Sequence, residues 1–463
     1  MKFGGTSVGD GPRIKNVAKL VKRYHDEGNE VIAVASAMTG ITDRLYEMAQ
    51  TAKDTCSIAD IEKSFSEVAL RHAAAIDDAI DDGTIRREVS VITEQRLAEL
   101  KNALVGVCYL GELTNRSLAY IYSFGERMSV PILSGSIRSM GVKSVALTGG
   151  EAGLITDSRF ESAKPDPITD VKVKEKLLPL LKDGVLPVVT GFVAANEKGT
   201  ITVLGRGGSD YSASIVGAAI DADEIWIYTD VNGIMTTDPR IVPEARTLPV
   251  VTYLEAMEMS YFGAKVLHPK TIEPAVKKGI PVRVLNTFQP EHPGTVVLMK
   301  DGTGKPNLIK AVTMIKNIAL INISGAAISG TPGTAGRIFT ALGREDVNII
   351  MISQASSEFN VSLAVDGAQA GKAIATLQKE FSEDLNSSVT CNEDVCVIAV
   401  VGERMAGSPG VAGRLFTALG DKKINIRMIS QGSSEANISF VVNKDDAHKT
   451  VKVLHSVFGL DKL

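Results

Sequence analysis

The sequence predicts an α/β protein: a large three-layer domain on a mostly parallel sheet, followed by two smaller βαββαβ modules. Three observations predict it. Residues 1–300 alternate apolar strand runs with amphipathic helical runs, the signature of a parallel sheet covered on both faces. From Ile58 to Tyr122 the alternation stops and only helical periodicity remains, so helices are inserted into that body. Near the end, Gly330–Gly343 returns as Gly407–Gly420, so Gly333 maps to Gly410 at an offset of 77 residues. Composition agrees: of 463 residues, 44% are hydrophobic and 22% charged, as in globular domains. A net charge of −4 lacks the basic excess of a nucleic-acid binder. Lys310 and Lys316 split the most apolar stretch, leaving nothing near the ~20 residues a membrane helix needs. The opening Lys2-Phe3-Gly4-Gly5 has no signal-peptide pattern, and Cys56, Cys108, Cys391 and Cys396 form neither a disulfide framework nor a C-x-x-C pair. A cytoplasmic, multidomain protein is expected.

The elements follow in order. Lys2-Phe3 reads as a very short strand, followed by a glycine loop and a helix with Ile14, Val17, Ala18 and Val21 on one face. Strands are expected at Val31–Ser36, Val142–Thr148, Val185–Ala194, Ile201–Leu204, Glu224–Thr229 and Pro281–Leu285. A Pro/Gly-rich stretch, Gln289–Pro306, reads as a linker. In each repeat an apolar strand (Ile318–Ile323, Val395–Val401) leads through a Pro-Gly turn into a short helix. A strand starting at Asn-Ile, an alternating strand (Phe359–Val365, Ala436–Val442) and a second helix follow. The expected domains are 1–300, 308–389 and 390–463, the last two interleaved in an alternative arrangement.

Six segments carry chemistry-bearing residues. In Lys2-Phe-Gly-Gly-Thr-Ser-Val-Gly9, adjacent glycines let amides approach an anion and Lys2 adds a point charge; a strand-to-helix turn needing positive φ explains the same glycines. Ser36-Ala-Met-Thr-Gly-Ile-Thr42 offers hydroxyls at a strand's end, or a cap at Thr42 or Asp43. Ser123-Phe-Gly-Glu126-Arg127 fits a capping box, or places Glu126 to meet an ammonium group; Pro131 should bend or restart that helix. Gly205-Arg-Gly-Gly-Ser-Asp210 is the strongest, because three glycines around one arginine suit a carboxylate or phosphate cradle. In Tyr228–Arg240, Asp230, Asp238 and Arg240 gather charge beyond a strand, where Asn232-Gly233 also fits a hairpin turn. Lys265 is a lone cation in an apolar stretch, more often a snorkelling lysine. No two of the six histidines have metal-ligand spacing, and no G-x-G-x-x-G follows a strand.

Taken together and in order, these segments resemble the aspartate kinases of the amino-acid kinase family, with a C-terminal pair of ACT modules. The chain ends after the repeat, so it is similar to monofunctional members rather than those fused to homoserine dehydrogenase. The resemblance implies transfer of the ATP γ-phosphoryl group, with Mg²⁺, to the side-chain carboxylate of L-aspartate, the first step toward lysine, threonine and methionine. Lys2, Phe3, Gly4 and Gly5 would meet the ATP phosphates, and Lys2 the transferring group, oriented by Asp210. Ser36, Thr42, Glu126 and Arg206 would bind aspartate, with Gly207, Gly208 and Ser209 completing the loop. Thr229, Asp230, Met235, Arg240 and Lys265 would hold the nucleotide; Met235 stands where some relatives carry Tyr. An end-product amino acid, threonine in preference to lysine, would bind at Gly333, Thr334, Ala335, Asn348 and Gln354, and at Gly410, Val411, Ala412, Asn425 and Gln431. A homodimer through the ACT modules, or a tetramer, is implied. Two alternatives stay open: a same-fold kinase acting on glutamate, acetylglutamate, carbamate or a nucleotide monophosphate, and a catalytically inactive amino-acid sensor.

Overall fold

The structure is a computed structural model that describes residues 1–263, 267–268, 271–300, 308–325, 333–354, 360–382 and 388–462. It divides into two compact units, Met1–Ile234 with Val266–Asp301, and Met235–Lys265 with Gly302–Leu463.

In the first unit a sheet runs in the order Ser144–Leu147, Leu186–Thr190, Ala33–Ala35, Lys2–Phe3, Ile225–Thr229, Val282–Asn286, Thr295–Leu298. All neighbours are parallel except the last pair. The central strand is only two residues long, and packing holds it. Phe3 and Tyr228 are fully buried and their rings stack at 5.0 Å, a burial of about 2–3 kcal/mol for Phe3 alone. The inserted helices are Ile58–Ala79 and Gly83–Leu110, followed by Asn115–Ser139. Their Ile76, Leu100, Leu104, Ile121 and Phe124 join one core with Phe3 and Ala35, so the insertion belongs to the domain and is no satellite.

Four expectations change. The run 185–194 is two strands, Leu186–Thr190 and Val193–Asn196, because the chain turns at Phe192 with φ 63°. The second joins Ile155–Thr156 and Ile201–Val203 in a small separate sheet. The proposed linker contains the strand Thr295–Leu298, whose β-branched residues pair with Val282–Val284. It is preceded by Gly294, where φ is 66° and a Cβ would lie 2.0 Å from the Val284 carbonyl oxygen, so only glycine fits. Pro131 lies inside a helix running unbroken from Asn115 to Ser139. Cys56 and Cys108 are disulfide-linked with Cα atoms 4.9 Å apart, a pairing across 52 residues with no local sequence signal. Among the described residues, no helix is long and apolar enough to cross a membrane.

The second unit carries an antiparallel six-stranded sheet in the order Ile349–Gln354, Asn360–Asp366, Ala311–Ser324, Ser388–Val401, Asn437–Asn443, Ile426–Ser430. The two central strands are 14 residues each and serve both repeats. Ile318–Ser324 pairs with Asn360–Asp366, while Ala311–Ile315 pairs with Val397–Val401. The fourth strand of the second βαββαβ module therefore comes from upstream of the first. The repeat is kept down to side chains: Arg337 stands 4.5 Å over Phe381, and its counterpart Arg414 stands 5.0 Å over Phe458.

Candidate active site

Parallel strands end on one edge, and here four neighbouring ends deliver the motifs together. Lys2–Phe3 runs into Gly4-Gly5, Ala33–Ala35 into Ser36, Ile225–Thr229 into Asp230, and Leu186–Thr190 into Gly191. A Cβ at Gly191 would sit 2.5 Å from the Ser209 Cβ, so that glycine brings the fourth strand against the Gly205–Asp210 loop.

Lys2 is buried, and its Nζ lies 2.5 Å from Oδ1 of Asp210. Asp210 sits in the first turn of the helix Gly208–Ala219, whose N-cap Gly207 has φ 73° and no side-chain cap bond. Capping therefore does not account for Ser209 or Asp210. Arg206 is exposed and makes no ion pair or side-chain hydrogen bond among the described residues.

Glu126 lies mid-helix, not at a helix start. The N-cap is Thr114, which accepts from the Ser117 amide, so the capping box expected at Ser123-x-x-Glu126 is absent. Instead Glu126 is 3% exposed, its Oε1 accepts from the Ala37 amide at 3.1 Å, and its Oε2 has no partner. Burial pushes its carboxyl up to about 8. Gly125 makes the approach possible, since a Cβ there would stand 2.7 Å from the Ala37 Cβ. Ser129 donates to the Ser36 carbonyl at 2.8 Å, fixing the same loop from the same helix. Thr42 is in the helix Ile41–Asp54, whose N-cap is the left-handed Gly40, so neither Thr42 nor Asp43 caps it.

Thr229 ends its strand, and its hydroxyl donates to Asp230 at 3.2 Å; Asp230 is exposed. Asn232 accepts from the Asn286 side chain at 2.7 Å. Met235 and Arg240 belong to the second unit, where exposed Arg240 pairs with Asp238 at 2.7 Å. Lys265 lies outside the described residues. Also in the second unit, Gly333 and Gly410 are left-handed N-caps with φ 91° and 85°, opening the helices Thr334–Arg344 and Val411–Asp421. Thr334 and Val411 are buried and Ala335 and Ala412 half-buried, while Asn348, Gln354, Asn425 and Gln431 are exposed on or beside the two outer strands. Gly191 lies outside every motif and also shapes the site, as do residues inside the motifs that were given no role of their own: Gly125, Thr39, and Ser7, whose hydroxyl meets that of Thr287 at 2.6 Å.

Comparison with known proteins bears on this geometry. Residues 1–286 match the amino acid kinase family, and 321–381 and 398–458 match the ACT domain. Over 466 residues the chain is 34% identical to aspartokinase 2, chloroplastic, of Arabidopsis thaliana, covering 99% of the chain and 84% of that protein. It is 35% identical over 474 residues to a bifunctional aspartokinase/homoserine dehydrogenase of Daucus carota, covering 100% of the chain and 50% of the relative. The chain thus spans about half the length of the bifunctional relatives it matches. Its fold superposes on E. coli aspartokinase III in complex with aspartate and ADP (TM-score 0.79, 29% identity, 98% of both chains). The same enzyme in complex with lysine and aspartate gives TM-score 0.81 at 30% identity, again over 98% of both chains.

Proposed function

We propose, because this chain belongs to the amino acid kinase family and within it to the aspartokinases, that it phosphorylates the side-chain carboxylate of L-aspartate with ATP, under feedback control by an amino acid. The observation that carries the substrate is two opposite groups, each with polar atoms that lack a partner among the described residues. Arg206 lies in the loop that leads to Asp210, the ion-pair partner of Lys2, and Glu126 lies against the loop that leaves the strand next to Lys2. The free guanidinium of Arg206 suits an α-carboxylate, and the buried, half-unsatisfied Glu126 suits an ammonium group. A molecule bearing both is an amino acid, which disfavours acetylglutamate, carbamate and nucleotides.

A free aspartate β-carboxylate, with reference pKa ~3.9, is already ionised at neutral pH and needs no general base. Its oxygen attacks the γ-phosphorus as the bond to the bridging oxygen breaks, leaving 4-phospho-L-aspartate and ADP. The obstacle is repulsion between two anions. Lys2 and the amides of the Gly4-Gly5 loop lower it, and the Thr229-Asp230 end would act on the nucleotide. Asp230, exposed at its strand end, would hold Mg²⁺, which would supply further positive charge against the phosphates. Trapping acyl phosphate as hydroxamate tests the assignment. Signal with aspartate and none with glutamate or acetylglutamate supports it; signal with another acid, or silence with all, overturns it.

The raised Glu126 carboxyl makes a second expectation. At pH 7 a group titrating near 8 holds its proton in about 0.9 of molecules, and an incoming ammonium expels it. Aspartate binding should then release about 0.9 proton at pH 7, dwindling above pH 9 where Glu126 is already ionised. Titration calorimetry in buffers of different ionisation enthalpy measures this, and Glu126→Gln should abolish it. Release near zero in the parent protein removes Glu126 from the ammonium site.

For the effector, the matched glycine turns at Gly333 and Gly410 and the repeated Ser-Gln pairs at Gln354 and Gln431 support two equivalent amino-acid sites. Threonine is the proposed ligand, with lysine the competing one. Calorimetric heat from threonine supports the choice, and heat from lysine alone reverses it. Assembly as a homodimer through these modules, or a tetramer, belongs to the same proposal.

A further inference from the structure

Two loops leave adjacent parallel strands at the candidate site: residues 4–9 after Lys2–Phe3, and residues 36–40 after Ala33–Ala35. They meet with little room. A Cβ at Gly5 would stand 3.0 Å from the Ala37 carbonyl oxygen, and one at Gly9 would stand 2.8 Å from the Thr39 hydroxyl. The Thr39 hydroxyl donates to the Gly5 carbonyl at 2.8 Å. The Gly4 carbonyl is taken by the amides of Ser7 and Val8, at 2.9 and 3.2 Å. A planar trans peptide points its N–H opposite to its carbonyl. With the carbonyls of Gly4 and Gly5 both held, the N–H groups of Gly5 and Thr6 are aimed the other way, and they meet no acceptor among the described residues. These two are free donors of the loop, and Thr39 sets the direction of one of them directly.

Thr39 itself is held from outside the loops. Arg71, on the inserted helix Ile58–Ala79, donates through Nη2 to the Thr39 carbonyl at 2.8 Å, and the same nitrogen reaches the Gly9 carbonyl at 3.5 Å. One guanidinium nitrogen thus grips a carbonyl on each loop, the Thr39 bond being the strong one. Arg13 adds a third hold, donating to the Thr6 carbonyl at 3.0 Å from the helix Gly11–Asp26.

We infer that Arg71 is a positioning residue for phosphoryl transfer: acting through Thr39, it fixes the direction of the Gly5 and Thr6 amides that face the transferring phosphate. This inference rests on the kinase reading above. Arg71 touches neither loop's free donors, so its loss leaves the donors present but misaligned. Misalignment of that kind costs turnover more than binding, because aligned dipoles act on charge that develops in the transition state.

The test compares the full-length chain with Arg71→Ala, Arg71→Lys and Thr39→Val, by steady-state kinetics and by amide exchange of residues 4–10. Arg71→Ala should lower kcat about 10- to 100-fold while both KM values stay within about threefold. Exchange in residues 4–10 should rise, and the thermal midpoint should stay within about 3 °C. Arg71→Lys should recover part of the turnover, since an ammonium can still donate to the Thr39 carbonyl. Thr39→Val should reproduce the loss, and the double variant should be little worse than either single one, as expected of groups acting through one junction. Unchanged kcat in Arg71→Ala, a KM increase with kcat preserved, or additive losses would overturn the inference. So would unchanged exchange in residues 4–10, a measurement that judges the anchoring even if the parent protein phosphorylates no acid and the kinase reading itself fails.

Discussion

Replacing Lys2 with alanine should lower kcat by about 10³-fold while KM for ATP and for aspartate move only a few-fold. The expectation comes from where the lysine stands. It is buried, lies 2.5 Å from Asp210, and sits on the central strand with parallel neighbours on both sides. Such a group cannot drift toward a ground-state phosphate as a surface lysine can, so on the proposed reaction its charge would act on the phosphoryl group in transit. The fold should survive, because the Phe3–Tyr228 stack holds the strand. Lys2→Arg should not rescue, since the pocket fitted to an ammonium is too closed for a guanidinium. Preserved kcat with a raised KM would show instead that Lys2 only binds the nucleotide.

Arg206→Ala should raise KM for aspartate about 100-fold, equivalent to roughly 2.7 kcal/mol, with a much smaller change in KM for ATP. Arg206 is unpaired among the described residues, so removing it leaves no orphaned partner and the effect reports substrate contact alone. Arg206→Lys should recover little, because a point charge does not replace the two-pronged grip on a carboxylate. An aspartate KM within twofold of the parent would remove Arg206 from the substrate site. The two substitutions separate the turnover and binding halves of one cradle.

Much of this architecture is legible in the residues, and what is not has identifiable causes. Apolar runs gave the parallel core strands because strands buried on both faces need no alternation. The break at Phe192 escaped because a single left-handed residue leaves the hydrophobic run on either side intact. Glu126 shows the limit of local motifs. Ser123-x-x-Glu126 and Thr252-x-x-Glu255 fit one pattern, yet only the second forms a capping box, with Glu255 accepting from the Thr252 amide at 2.9 Å. The first sits eight residues inside a helix that Thr114 starts, where the carboxylate turns inward to Ala37. The Gly205–Asp210 loop was readable because glycines around a charge have few other uses. Arg71 was not, since its partners are 32 and 62 residues away and a lone arginine on a helix gives no period to detect. The Cys56–Cys108 link is invisible for the same reason.

The two long central strands of the six-stranded sheet carry a consequence for how this chain can be divided. Each gives one half of its length to either copy of the duplicated sequence, and the second copy borrows its closing strand from Ala311–Ile315. No single cut in the polypeptide therefore liberates a self-sufficient copy. A gene fragment encoding only the later one would present a naked strand edge, ready to recruit a stray neighbour or to aggregate. The duplication is read once per 77 residues in the sequence, but its heritable building block is the pair.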